Sequence, residues 1–240
     1  MYIGIFIKMP SAQTIFFALS GGILPALLWL WFWLQEDRLH PEPRGMIIRT
    51  FIAGMIAVPL VLPLEQLIQK HYAVNLMLVI FLWATAEEIF KWGAVYLVAL
   101  ETSEYDEPID AVVYMLTGAL GFAAMENVFF LITSISNTNV VESLVTGNLR
   151  FIGATLLHVL SSGVIGLFMG LSFCKGWFTR KIYLIFGIIL AVLLHTLFNI
   201  YIMKSGGTSI FVIFCFVWVA IFLLIVGFQK VKKIRECKLR

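Results

Sequence analysis

The 240-residue chain is 61% hydrophobic and only 13% charged, with a formal net charge of +3 and a mean hydropathy of +0.96. A soluble domain is about 45–50% apolar and about 25% charged, so these values exclude one. The basic residues crowd at one end instead of covering a folded face, which argues against a nucleic-acid partner, and Cys174, Cys215 and Cys237 lack the C-x-x-C spacing of a zinc site or a disulfide framework.

Seven apolar spans are predicted, at roughly 14–34, 46–64, 74–100, 109–135, 149–174, 181–203 and 208–228. The expected fold is an all-α polytopic membrane protein, a bundle of about seven transmembrane helices forming one domain over residues 1–240. The first span is long enough for a full crossing and no small-residue cleavage site follows it, so it is read as a retained helix. QEDRLHPEPRG (35–45) is a loop, because Pro41 and Pro43 break helices. Pro25, Pro59 and Pro63 lie inside spans, where neighbouring helices can satisfy the freed carbonyls. Glu65 and His71, near the end of span two, are read as solvated surface. Span three carries Glu87, Glu88 and Lys91 and runs into the acidic hairpin ETSEYDEPID (101–110). Asp110 opens span four as an N-terminal cap or dipole partner.

Span four holds Glu126 and Asn127 together with Gly118, Gly121 and Ala124. Span five holds His158 and the small residues Ser162, Gly163, Gly166 and Gly170. These small residues let helices approach closely, so spans four and five belong at the bundle centre. Between them, Glu142 reads as surface and Arg150 as a headgroup or Glu142 contact. Span six carries His195 and Asn199; span seven is apolar and is followed by a basic cytoplasmic tail, 229–240, suited to lipid headgroups.

Orientation follows from loop Lys and Arg residues. Twelve lie on one side (Arg38, Arg44, Arg49, Lys175, Arg180, Lys181 and six tail residues) and four on the other (Lys8, Lys70, Arg150, Lys204). This places the protein in the cell membrane as a multi-pass chain with its N-terminus outside and its C-terminus in the cytoplasm.

An ionised group near a helix centre costs roughly 2.5–3.5 kcal/mol, so Glu87, Glu88 and Glu126 persist only if they pair, neutralise one another or bind something. With this orientation Glu87, Glu126, His158 and His195 fall in one layer, roughly 12–20 Å below the outer surface. Lys91 is one turn from both Glu88 and Glu87, and His195 shares a face with Asn199. Carboxylates, imidazoles, a lysine and a carboxamide at one depth suit water activation. Alternatively, Glu87, Glu126, His158 and His195 could hold a Zn²⁺ ion. No H-E-x-x-H or G-x-G-D is present, and Ser161 and Ser162 lack a G-x-S turn, their nearest imidazole, His158, being on the same helix.

Glu87-Glu88-Ile89-Phe90-Lys91, Phe122-Ala123-Ala124-Met125-Glu126-Asn127, His158 and His195-Thr196-Leu197-Phe198-Asn199 resemble the motif set of the PrsW family of intramembrane proteases. The Asp37 to Pro43 loop and Asp106-Glu107-Pro108-Ile109-Asp110 are similar as well. The set is also similar to that of the CAAX prenyl protease and bacteriocin-immunity superfamily. That group usually shows E-E-x-x-x-R and F-x-x-x-H, whereas here the basic residue comes one position earlier and Glu126 stands in place of His. The resemblance implies hydrolysis of a peptide bond in a membrane-anchored protein, an anti-sigma-factor-like substrate, by a glutamate- or metal-dependent site among spans three to six; the outer-half depth of the polar layer suggests a cut near the extracytoplasmic side. Under it Glu87 is the general base, His158 and Glu126 position water, His195 and Asn199 stabilise the oxyanion, and Glu88 with Lys91 fixes the geometry. The partners it implies are a transmembrane substrate and the lipid bilayer. A CAAX-type prenyl-protein protease and an ion- or proton-coupled transporter are the alternatives; a single polar layer without an inverted repeat weighs against the transporter.

Overall fold

In the computed structural model, residues 10–35, 41–137, 140–205 and 210–234 are described. They form α1 (Ala12–Gln35), α2 (Arg44–Tyr72), α3 (Leu76–Val95), α4 (Asp110–Asn137), α5 (Val140–Ser172), α6 (Trp177–Ser205) and α7 (Ile210–Lys232). Six of the seven are long and apolar enough to cross a membrane. The exception is α3, whose 20 residues include Glu87, Glu88 and Lys91. At 1.5 Å per residue it still spans about 30 Å, the thickness of a hydrocarbon core. The protein is therefore a multi-pass membrane bundle with no strand among its described residues.

Local chemistry sets the helix limits. The Ser11 hydroxyl accepts the Thr14 N–H at 3.1 Å ahead of α1, and the Asn75 side chain accepts the Leu78 N–H at 3.1 Å ahead of α3. α2 continues through Glu-Gln-Leu-Ile-Gln-Lys-His-Tyr to Tyr72, past the expected end at 64. Lys70 and His71 in its last turn complement the helix dipole, and His71 Nδ1 lies 2.9 Å from the Leu67 carbonyl oxygen. α3 passes into a π-helical turn, Tyr96–Leu100. α7 likewise takes the first residues assigned to the tail, ending at Lys232.

Asp110 corrects its reading as a cap. Its Oδ2 accepts the backbone N–H groups of Asp106 (3.0 Å) and Glu107 (2.6 Å), so it organises the loop before α4 instead of capping the helix, while its place in the first turn suits the dipole partner. One turn later, the Tyr114 hydroxyl donates to Glu42 of the first loop and to the Glu104 carbonyl at 3.3 Å, tying the two loops together. Cys174 is disulfide-bonded and Cys215 is free and exposed. Asp37, Arg38, Lys8, Cys237 and the tail from 235 to 240 lie outside the described residues, as do the side chains of Glu142, Arg150 and Lys204.

α4 is the central helix, buried along most of its length, and packs on α1, α2 and α5; α5 packs further on α6 and α7, and α3 on α2 and α6. Small residues permit this. A Cβ on Gly54 would stand 2.0 Å from the Gly118 carbonyl oxygen, and one on Gly121 would stand 2.0 Å from that of Phe51, so α2 and α4 meet backbone to backbone. Gly166 and Gly170 make the same close approach to Ala111 and Pro108. The outward faces carry Phe16, Leu28, Phe186 and Phe222, all exposed and suited to lipid.

These contacts give a stability prediction. Gly54→Leu destabilises the purified protein by about 1–3 kcal/mol or more, as overpacking does, read as a lower thermal melting temperature in detergent. Gly45→Ala, where no atom lies within 4 Å, leaves it unchanged.

Candidate active site

Glu87 and Glu88 are neighbours on α3, about 100° apart around the helix, and their surroundings differ. Glu88 is fully buried and accepts four hydrogen bonds: on Oε1 from Lys91 Nζ (2.5 Å), Ser161 Oγ (2.8 Å) and His195 Nδ1 (2.8 Å), and on Oε2 from Ser162 Oγ (3.1 Å). Lys91, Ser161 and Ser162 have no solvent exposure at all. A buried ion pair is stable only when its remaining lone pairs and protons are used, and here they are.

Further bonds spread from this centre. Lys91 Nζ lies 3.0 Å from His158 Nδ1. An ammonium group can only donate, so Nδ1 is the acceptor and the His158 proton sits on Nε2, which donates to Glu126 Oε2 at 2.7 Å. His195 gives Nδ1–H to Glu88, which leaves Nε2 facing Glu87 Oε2 at 3.7 Å. That Glu87 oxygen is buried and has no hydrogen-bond partner among the described residues. The two imidazoles meet nearly edge to face, with centroids 5.2 Å apart. Phe122 packs on His158 at 5.3 Å and under Lys91 at 5.0 Å, a packing part as its residue type suggests. Asn127 Nδ2 donates to Thr155 Oγ1 at 3.3 Å, joining α4 to α5 beside the Glu126–His158 bond.

Glu87, Glu88, Lys91, Glu126, His158 and His195 thus come together from α3, α4, α5 and α6. Asn199 lies one turn from His195 and is half-buried, and no hydrogen bond ties it to the cluster among the described residues. Glu87, His158 and His195 bring ligand atoms to within 4.8 Å of one another. Glu126, expected among metal ligands, reaches this trio through His158. Two features escape the motif reading. Ser161 and Ser162 follow His158 at i+3 and i+4, a polar face that signals a shared role. Glu65, read as solvated surface, is half-buried and its side chain interacts with Glu87 and Glu126.

Residues 42–226 match the family model described as PrsW family intramembrane metalloprotease. The chain is 30% identical to Protease PrsW of Halalkalibacterium halodurans, over 90% of this chain and 96% of the relative. It is 29% identical to Protease PrsW of Oceanobacillus iheyensis, over 91% and 96%, and 27% identical to that of Bacillus subtilis, over 92% and 97%. No solved structure matches it.

The hydrogen bonds give Ser161 and Ser162 a holding part. Ser161→Ala and Ser162→Ala should each lower stability by about 1.5–3 kcal/mol, the range for hydrogen bonds to charged groups. Thermal melting measures this, and proteolysis should persist in both variants. Complete loss of cleavage in a folded Ser161→Ala protein would make that serine a nucleophile instead.

Proposed function

Because the chain belongs to the PrsW family of intramembrane metalloproteases, we propose that it hydrolyses a peptide bond of a membrane-anchored, anti-sigma-factor-like protein near the extracytoplasmic surface, at water activated between Glu87, His158 and His195. The observation that carries this reading is the buried, partnerless Glu87 Oε2 facing the His195 Nε2 that Glu88 leaves free. An oxygen and a ring nitrogen held in this way are poised for a ligand or a water molecule.

The donor set fits a divalent ion once His158 Nε2 gives up the proton it shares with Glu126: one carboxylate and two imidazoles, the protein ligands of many catalytic zinc sites. Zinc bound there would polarise the scissile carbonyl and make the bound water more acidic. The chain's own residues do the rest. Glu88 fixes the ring of His195, and Lys91 fixes that of His158. Glu126, the more solvent-accessible carboxylate at 21% side-chain exposure, stands against His158 and can take a proton from the attacking water and return it to the leaving amine. Asn199 lies on the His195 face of α6, available to a developing oxyanion once substrate is bound. The excess of cytoplasmic Lys and Arg supports a C-terminus inside and a cut in the outer half of the bilayer.

Purified protein cleaving a model transmembrane peptide tests this reading. Glu87→Gln is expected to abolish cleavage with a wild-type melting profile, and His195→Ala to abolish it with a lower but still cooperative melt, because Glu88 then loses the Nδ1–H donor. Zinc should be present at about one ion per chain, and chelation should stop turnover reversibly. Normal turnover by Glu87→Gln protein removes that residue from the mechanism, and full activity of metal-free protein removes the ion.

A further inference from the structure

A carboxylic acid sits on the buried stripe of α2. Val58, Val61 and Ile68 are buried, and Glu65 takes its place among them at helical spacings of three, four and three residues. Its neighbours Leu64, Gln66 and Leu67 are exposed, whereas Glu65 is half-buried. The backbone at this point is anchored, because Trp83 Nε1 donates to the Glu65 carbonyl oxygen at 3.0 Å. Trp83 lies one turn before Glu87 on the same face of α3. The anchor therefore sets Glu65 beside Glu87, with which its side chain forms a hydrogen-bonding interaction, while Glu126 lies near enough to interact electrostatically. An ionisable residue facing the interior of a membrane bundle is costly to keep there, and marks a functional place by default.

We propose that Glu65 is a positioning residue of the active site, holding the Glu87 carboxylate from α2 so that Oε2 stays turned toward His195. It acts through Glu87 and so rests on the role proposed above for that residue. α2 becomes a fifth helix of the site. An amide at position 65 keeps a hydrogen-bonding oxygen for Glu87; a methyl group does not.

The test compares full-length Glu65→Ala, Glu65→Gln and Glu87→Gln proteins with wild type in lipid nanodiscs. Three quantities are read: kcat and KM for a transmembrane peptide, zinc affinity of the stripped protein by equilibrium titration, and melting temperature. Glu65→Ala is expected to lower kcat and zinc affinity by about 10-fold or more, the size of other effects of residues that orient metal ligands. Its KM and melting temperature should be unchanged, and Glu65→Gln should retain most of the kcat and the zinc affinity. Wild-type kcat and zinc affinity in Glu65→Ala overturn the proposal. So does a Glu65→Gln protein no better than Glu65→Ala, or a melting temperature that falls in step with activity. An inactive Glu87→Gln beside a fully active Glu65→Ala overturns the inference about Glu65 alone; normal turnover by Glu87→Gln overturns the assignment of Glu87 and this inference with it.

Discussion

Lys91, His195, Ser161 and Ser162 all donate to the carboxylate of Glu88, which water does not reach. In a membrane interior no solvent makes good a missing partner, so such a group is tolerated only with its bonds complete. The donors come from α3, α5 and α6, and one carboxylate thereby sets the rotation of three helices. The orientation passes outward through Lys91 to His158 and from His158 to Glu126. Glu87, a hundred degrees around α3, is left with an oxygen that nothing in the described structure occupies. The adjacent glutamates thus differ: Glu88 is fully engaged in holding the cluster together, while Glu87 keeps one buried oxygen without a hydrogen bond among the described residues.

The scaffold explains why these groups can meet. Gly54 and Gly118 bring α2 and α4 into backbone contact, and Gly166 and Gly170 do the same for α5 against the start of α4. Larger residues at these positions would push the helices apart by more than a hydrogen bond can stretch. The approach of α2 also carries Glu65 toward the site, so packing around α4 and the polar cluster depend on the same small residues.

Much of this was legible in the amino-acid order. Long apolar blocks marked the helices, and the charged and imidazole residues inside them marked the side chains that cluster between α3, α4, α5 and α6. Helical spacing put Lys91 within reach of either glutamate, and the structure pairs it with Glu88. Glu65 was hidden because it stands near the end of an apolar stretch, where a carboxylate reads as surface; only the continuation of α2 to Tyr72 turns it inward. Ser161 and Ser162 were weighed as nucleophiles, while their actual partner, Glu88, lies 73 and 74 residues away in the chain. Sharing a face placed Asn199 near His195 but could not show whether a bond forms. The π-helical turn after α3 had no signal in the residue pattern, and Asp110, read forward into its helix, bonds back to the Asp106 and Glu107 amides.

A double-mutant cycle on thermal stability between Glu88→Gln and His195→Ala measures whether the Glu88 carboxylate is the centre that joins α3 to α6. The hydrogen bond between them, with the network it supports, calls for a coupling of about 1–3 kcal/mol. Additivity of the two substitutions within about 0.3–0.5 kcal/mol would contradict it.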